Sequence, residues 1–299
     1  MTHVALFNNL LSKEFLSMEE SGHPDVIPSA LYIQCGLETP YMMHQLLAAS
    51  ALHLSIKTPE SRGHYREYAT GLQTRALSLF NQSNPILEVT SSNCVQMFMF
   101  SSMIGVHLLC DTLYYQRDSL EGFVDSFTHC LAANRGILTV IDQSRNLLHE
   151  TELGPHLRLP EVLMQSTDGS GSECAALWDL ANAADITPSA RKAYRDAIFY
   201  LQRLFDAQQS SSGDRTRMPM VFVWQAIVPL DYVGLLRQRQ PIALVILAHY
   251  AVLLHRGRGL WLIGQGGRFL IESIYGSLPD WQPWLKFPIT ALRDESTAT

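Results

Sequence analysis

The sequence predicts an all-α protein, an irregular bundle of about ten helices around an apolar pocket. Apolar residues recur at three- and four-residue spacing along most of the chain, and the alternation typical of β-strands is nearly absent. Apolar residues make up 47% of the 299 residues, and charged residues only 17%. Soluble proteins usually have about 25% charged residues, so this composition indicates a large buried area or an apolar cavity. It also excludes disorder for most of the chain.

Five helices are predicted in the first half: Val4 to Met18, from Pro40, from Pro59 to Asn84-Pro85, from Ser91 or Ser92, and about Asp118 to Ile141. Thr39 is a typical N-cap residue, and Pro40 suits the first helical position because it lacks an N–H that the first turn would leave unpaired. The segment that follows, YMMHQLLAASALHLSI, is apolar nearly all round, as in a deeply buried helix.

In the second half, two flexible loops are predicted between helices. Gly, Pro, Ser and Thr are frequent in residues 150–173, and QQSSSGDR lies within 208–216. The predicted helices are Cys174 to Asn182, Ala190 to Ala207, Met218 to Arg237, Pro241 to His255, Leu260 to Tyr275 and a short one near Trp281. No internal repeat stands out, and we expect residues 1–299 to form one domain.

The charge balance argues against direct nucleic-acid binding. The chain has 22 basic and 28 acidic residues and a net charge of -6, whereas a phosphate-binding face needs an excess of basic residues. No membrane span is predicted either, because the most apolar stretch, Ile242 to Leu254, has about 13 residues where a span needs about 20.

Cysteine usage and the N-terminus predict a cytoplasmic protein. The five cysteines are scattered without a CxxC or CxxxC pair, which is typical of buried free thiols in a reducing compartment and not of a structural zinc site. The start, MTHVALFNN, lacks the charged and apolar regions of a secretory signal.

Three segments carry a resemblance to a known family. They are TPYMMHQLLAASALHLS (39–55), FMFSSMIGVHLLCDTL (98–113) and PIALVILAHYAVLLHRGRGLWLIGQGGRFLIESIYGSLPDWQPWLKFP (241–288). Each resembles the all-helical C-terminal regulatory domain of fungal zinc-cluster transcription factors. They are distinctive as a set and weak one at a time, and they spread the resemblance over nearly the whole chain.

The resemblance implies two functions of different classes. Those transcription factors bind DNA through a six-cysteine zinc cluster, which the cysteines here cannot form. The same fold also serves as a stand-alone enzyme, the humulene synthase of fungal tropolone-sesquiterpenoid pathways, and the missing zinc cluster makes this chain similar to that branch. The resemblance therefore implies a cyclase that ionises farnesyl diphosphate with Mg²⁺ and forms a humulene-type sesquiterpene. The alternative is a non-catalytic, ligand-binding regulator, nuclear and homodimeric, without its DNA-binding module.

Asp111, Asp118, Glu121 and Asp125 are the candidate magnesium ligands. The usual DDxxD and DxDD motifs of terpene synthases are absent. If one helix continues through this stretch, residues 111, 118 and 125 lie at seven-residue steps on one face, and Glu121 neighbours the last two. Carboxylates bind Mg²⁺ together with substrate phosphate. The alternative is a solvated helix face, with Asp111 capping or ending a helix.

The basic candidates are His249, His255, Arg256, Arg258, Arg268 and Lys286. Arg256, His255 and Lys286 are the predicted catalytic groups, and Arg258 and Arg268 the predicted substrate-binding groups, since arginine makes bidentate contacts to phosphate. The synthases that the chain resembles use an essential lysine in this part of the fold, and Lys286 is the nearest candidate. The alternative is that the basic groups at residues 255–258 complement the dipole of the helix that they end.

Tyr114, Tyr115 and Trp261 complete the predicted substrate site. Aromatic rings stabilise carbocations through cation–π attraction, although most aromatic residues at helical spacing belong to a core. The glycines of IGQGGRF, at 264, 266 and 267, do not have the spacing or the preceding strand of a dinucleotide-binding loop. They predict close helix packing.

Overall fold

The computed structural model describes residues 2–12, 15, 27–157, 169–210 and 217–294. Within these residues the regular structure consists of 13 α-helices and two 3-10 helices, with no strand, which confirms the all-α prediction. The helix predicted from Val4 to Met18 is too long, because α1 ends at Leu10 and a turn follows at residues 11 and 12. Residues 13, 14 and 16–18, much of the predicted loop 150–173 and most of the predicted loop 208–216 lie outside the described residues.

The chain divides into two compact units. Unit 1 comprises Met1–Asp111 and Ala133–Leu159, and unit 2 comprises Thr112–Ala132 and Pro160–Thr299. The single domain expected over residues 1–299 stays a prediction.

Unit 1 is built around a helical hairpin. Its helices are α1 (Thr2–Leu10), α2 (Ser29–Glu38), α3 (Pro40–Lys57), α4 (Arg62–Ser83), most of α5 (Cys94–Tyr115) and the second half of α6 (Leu120–His149). Pro40 begins α3, as predicted, and a 3-10 turn, Pro59–Ser61, leads into α4. The hairpin consists of α3 and α4. Buried alanines, among them Ala48 in α3 and Ala69 and Ala76 in α4, leave little side-chain bulk between the two helices. Helix α2 was not predicted.

Unit 2 is built around one fully buried helix. After the first part of α6, its helices are α7 (Ala175–Ala183), α8 (Pro188–Ser210), α9 (Arg217–Ile227), α10 (Leu230–Arg237), α11 (Pro241–Arg256), α12 (Gly266–Ser277) and α13 (Lys286–Asp294). A 3-10 segment, Pro279–Leu285, precedes α13. Every residue of α11 from Ile242 to His255 is buried, and α8, α12 and α13 pack against it. An apolar helix without a polar face is stable only in such a position.

Two predicted helices of unit 2 have the wrong bounds. The helix predicted from Met218 to Arg237 is two helices, α9 and α10, separated at Pro229. Proline lacks the N–H that the helix needs, and its ring clashes with the preceding turn. The helix predicted from Leu260 begins only at Gly266, because residues 257–265 form turns in which Gly264 has a φ of +48°.

Among the described residues, only α5 is long and apolar enough to cross a membrane. Half of its most apolar window is buried in the protein, and the core helix of a soluble protein has the same length and composition. A membrane-spanning protein is therefore not favoured.

Candidate functional site

The predicted acidic face is interrupted. Helix α5 ends at Tyr115 and α6 begins at Leu120, so the continuous helix on which the seven-residue spacing depends is absent. Asp118 and Glu121 are exposed at the start of α6. Among the described residues, no three His, Cys, Asp or Glu side chains are grouped so as to hold a metal ion. The assignment of the four acids as magnesium ligands stays a prediction, but they do not form one donor set.

Two of these acids pair with arginines. In unit 1, Arg66 Nε lies 3.2 Å from Asp111 Oδ1, and Arg66 Nη2 lies 3.5 Å from Asp111 Oδ2. In unit 2, Arg239 Nη2 donates to Asp125 Oδ1 at 2.7 Å and to the Glu121 carbonyl at 3.4 Å. Each carboxylate therefore has a cationic partner that the protein itself supplies.

The predicted aromatic residues Tyr114, Tyr115 and Trp261 do come together. The Tyr114 hydroxyl donates to the Trp261 carbonyl at 2.6 Å, and the rings of Tyr114 and Tyr115 have centroids 6.4 Å apart. The Arg117 guanidinium lies 5.1 Å from the centroid of the Tyr114 ring. In the turn after α11, a Cβ on Gly264 would overlap the Tyr114 hydroxyl, so the backbone can approach the ring only without a side chain.

The other two glycines of IGQGGRF, at the start of α12, also lie where the backbone comes very close to another helix. A Cβ on Gly266 would lie 2.6 Å from a methyl carbon of Leu113, and one on Gly267 would overlap the backbone of His255 in α11. The close packing predicted for these glycines is confirmed.

Two of the predicted basic residues, His249 and Arg256, belong to a cluster where α8, α11 and α13 meet. We call it the Arg256 cluster: Phe205, Gln208, His249, Arg256 and Phe287. Arg256 Nη1 donates to Gln208 Oε1 at 2.6 Å, and its guanidinium lies 5.5 Å from the centroid of the Phe205 ring. Phe287 is packed edge-on to Phe205 at 5.6 Å, and its ring centroid is also 5.6 Å from that of His249. The cluster joins one guanidinium, one imidazole and two phenyl rings.

His249 is the most buried titratable group of the cluster. Its side chain has no exposed surface, and burial lowers its pKa from 6.5 to about 4, because water no longer solvates the charged imidazolium. Its Nδ1 lies 2.9 Å from the Val245 carbonyl. Its buried Nε2 has no hydrogen-bond partner among the described residues.

The remaining basic candidates take different positions. His255 is buried, and Arg258 Nη1 donates to its carbonyl at 3.1 Å, in agreement with the alternative that these groups end the helix. Lys286 is exposed at the start of α13, next to Phe287 in the chain. Arg268 pairs with Glu272 on the surface of α12 at 3.3 Å. Of these, His255 precedes Arg256 of the cluster in the chain, and Lys286 precedes Phe287.

Sequence reasoning missed three members of the cluster. Gln208 was assigned to a loop, although α8 continues to Ser210. Nothing local in the sequence places the rings of Phe205 and Phe287 beside Arg256 or His249. The apolar stripe of α8 could have indicated that Phe205 is buried, but not against which residue.

Comparisons with protein-family models, with curated proteins and with solved structures find no match for this chain.

Proposed function

We propose that this chain is a non-catalytic regulatory domain, and that unit 2 binds a small, largely apolar molecule at the Arg256 cluster. The observation that supports the proposal is the composition of this cluster. It combines a guanidinium and a buried hydrogen-bond acceptor on the otherwise apolar helix α11 with two phenyl rings from α8 and α13. Ligand sites are mostly apolar and contain a few convergent polar groups of this kind.

Each part of the cluster has a distinct role in this proposal. Phe205 contacts the apolar body of the ligand, whose removal from water stabilises the complex. Arg256 is held in place by Gln208 and by the Phe205 ring, so it loses little side-chain entropy when it binds a polar end of the ligand.

The pairing of the acids supports a non-catalytic role. Asp111 and Asp125 interact with Arg66 and Arg239, and Mg²⁺ would have to compete with those guanidinium groups for the two carboxylates. An ion pair that is already formed favours the structure without metal.

Ligand titration with matched variants tests the proposal. Farnesol, palmitate and farnesyl diphosphate are each titrated into the protein, and binding is measured by intrinsic tryptophan fluorescence and by the melting temperature. We expect at least one of the three to bind, and Arg256→Gln to weaken that binding about tenfold, as for a lost charge-assisted hydrogen bond. Arg268→Gln, on the surface of α12, is the control and should bind as the wild type does. The proposal is wrong if none of the three raises the melting temperature, or if both variants bind equally well.

The second candidate function is the sesquiterpene cyclase. It is favoured by the position of Arg256 beside the Phe205 ring and by Lys286, which is next to Phe287 in the chain, since cations neutralise a departing diphosphate and aromatic rings stabilise a carbocation. Incubation with farnesyl diphosphate and Mg²⁺, followed by gas chromatography, tests it. A sesquiterpene that forms with the wild type and is lost in Lys286→Gln would replace the non-catalytic proposal.

A further inference from the structure

We propose that His249 is a specificity-determining residue that selects ligands carrying a hydroxyl group. The inference rests on the proposed function, because it concerns the ligand of the same cluster. The ligand must present an O–H donor to His249, the most buried titratable group of that cluster.

The hydrogen bond of Nδ1 fixes the tautomer of His249. The Val245 carbonyl, 2.9 Å from Nδ1, can only accept a hydrogen bond. The imidazole hydrogen therefore lies on Nδ1, and Nε2 presents a lone pair. Nε2 is buried without a partner among the described residues, and a buried acceptor left in this state destabilises the fold. A ligand that donates a hydrogen bond to Nε2 removes that cost, whereas an ether or a carboxylate cannot.

The surroundings of His249 keep it an acceptor. The ring lies on α11 inside the apolar core of unit 2, and burial keeps it neutral at physiological pH because its pKa falls to about 4. A neutral imidazole with its hydrogen on Nδ1 offers no positive charge and no donor to an anionic head group. Arg256, seven residues along the same helix and so about 10 Å away, is the group that suits an anion.

Phe287 marks the position of the ligand next to His249. Its ring centroid lies 5.6 Å from that of the imidazole, on the C-terminal helix α13. The apolar body of the ligand would occupy the volume of this ring, so that Phe287 has to shift when a ligand binds. Truncation of Phe287 should therefore strengthen binding, provided that the protein still folds.

A pair of ligands that differ in one donor tests the inference. Farnesol and farnesyl methyl ether have the same apolar body, but only farnesol can donate from oxygen. We expect the wild type to bind farnesol about tenfold more tightly than the ether. His249→Leu should bind the two equally, because it has no acceptor. His249→Gln keeps a carbonyl oxygen at a similar position and should restore part of the preference.

Folding of the variants is checked by the melting temperature. His249→Leu removes a buried acceptor without a partner, so its melting temperature should equal or exceed that of the wild type. Phe287→Ala should bind farnesol more tightly than the wild type.

Each contrary outcome has a separate meaning. If the wild type binds farnesol and its ether equally, the inference is wrong and the proposed function stands. The same holds if His249→Leu keeps the preference for farnesol. If neither compound binds while palmitate does, unit 2 still binds ligands but the hydroxyl selection is wrong. If no apolar probe binds at all, the proposed function fails and the inference fails with it.

Discussion

Two buried hydrogen-bonding side chains, Ser50 in unit 1 and Gln225 in unit 2, join different kinds of element within their units. In unit 1, Ser50 Oγ donates to the Leu6 carbonyl at 2.7 Å and accepts from Asn9 Nδ2 at 2.8 Å, which fastens the short helix α1 to α3. In unit 2, the Gln225 amide donates to the Tyr250 hydroxyl at 2.8 Å and joins α9 to the central helix α11. The same interaction thus holds a terminal element in one unit and the middle of the core in the other.

This difference has a consequence for stability. A terminal helix can detach while the rest of a unit stays folded, whereas the central helix of a core cannot separate without global unfolding. Loss of the hydrogen bond between Ser50 and Leu6 should therefore destabilise only α1 in unit 1. Loss of the bond between Gln225 and Tyr250 should lower the stability of unit 2 as a whole. The following predictions test this contrast, from the largest expected effect to the smallest.

Acidification should lower the stability of both units, and it should lower that of unit 1 more than that of unit 2. Burial lowers the pKa of His53 and His107 in unit 1, and of His249 in unit 2, from 6.5 to about 4. The unfolded chain then binds protons between about pH 6.5 and pH 4 that the folded chain does not, so the free energy of unfolding falls as the pH falls through this range. His107 and His249 each account for about 3 kcal/mol of this loss by pH 4.

Hydrogen exchange at pH 4.5 and pH 7 measures this effect in each unit. Amides of α3 and α4 should lose more protection at the lower pH than those of α11. His107→Leu should reduce the loss in unit 1 and leave unit 2 unchanged. Earlier exchange of α11 than of α3 would contradict the prediction.

Packing of α12 against the centre of unit 2 should tolerate no side chain at Gly267. A Cβ there would overlap the backbone of His255, which cannot move aside as a flexible side chain can. We expect Gly267→Ala to lower the free energy of unfolding by about 3 kcal/mol. Gly276→Ala, in the same helix, meets no atom within 4 Å and should stabilise the protein by up to about 1 kcal/mol. Chemical denaturation of both variants measures the difference, and equal values would mean that α12 can shift freely.

Removal of one buried hydrogen bond in each unit addresses the contrast directly. Ser50→Ala and Gln225→Leu each remove a buried polar partner, with an expected cost of about 1 to 2 kcal/mol. In Ser50→Ala the faster hydrogen exchange should be confined to α1, because the Leu6 carbonyl loses its side-chain partner there and Asn9 loses one of its own. In Gln225→Leu it should extend to all amides of α11. Uniform acceleration in both variants would show that α1 unfolds together with the core.

The acidic residues should contribute the least. The side chains of Arg66 and Asp111 are 40% and 31% exposed, so solvent screens their ion pair, and Asp111→Asn should cost less than about 1 kcal/mol. Asp118→Asn changes an exposed residue and should leave the melting temperature unchanged. A gain in stability for Asp111→Asn would instead indicate repulsion among carboxylates, as a metal site without its metal would show.

The helices themselves could largely be predicted from the sequence, because their signals are local. Pro40 at the start of α3 and the unbroken apolar run of α11 are properties of a few consecutive residues, and the structure has both helices where the sequence places them. The errors are also local: Pro229 divides a predicted helix, and the turn at Gly264 delays the start of another. In both cases the apolar spacing continues across a residue at which the backbone leaves the helical conformation.

Only the tertiary structure decided which side chains meet. Asp111 looked like one of four acids on a helix face, but its partner is Arg66, 45 residues away on α4. Arg256 looked like a helix-ending charge, but its guanidinium lies over the ring of Phe205 on α8, which packs against Phe287 on α13. Helical periodicity reports which face of each helix is buried, since that depends on residues three and four apart. It contains no information on which buried faces pack together, because that choice depends on the shapes of distant segments.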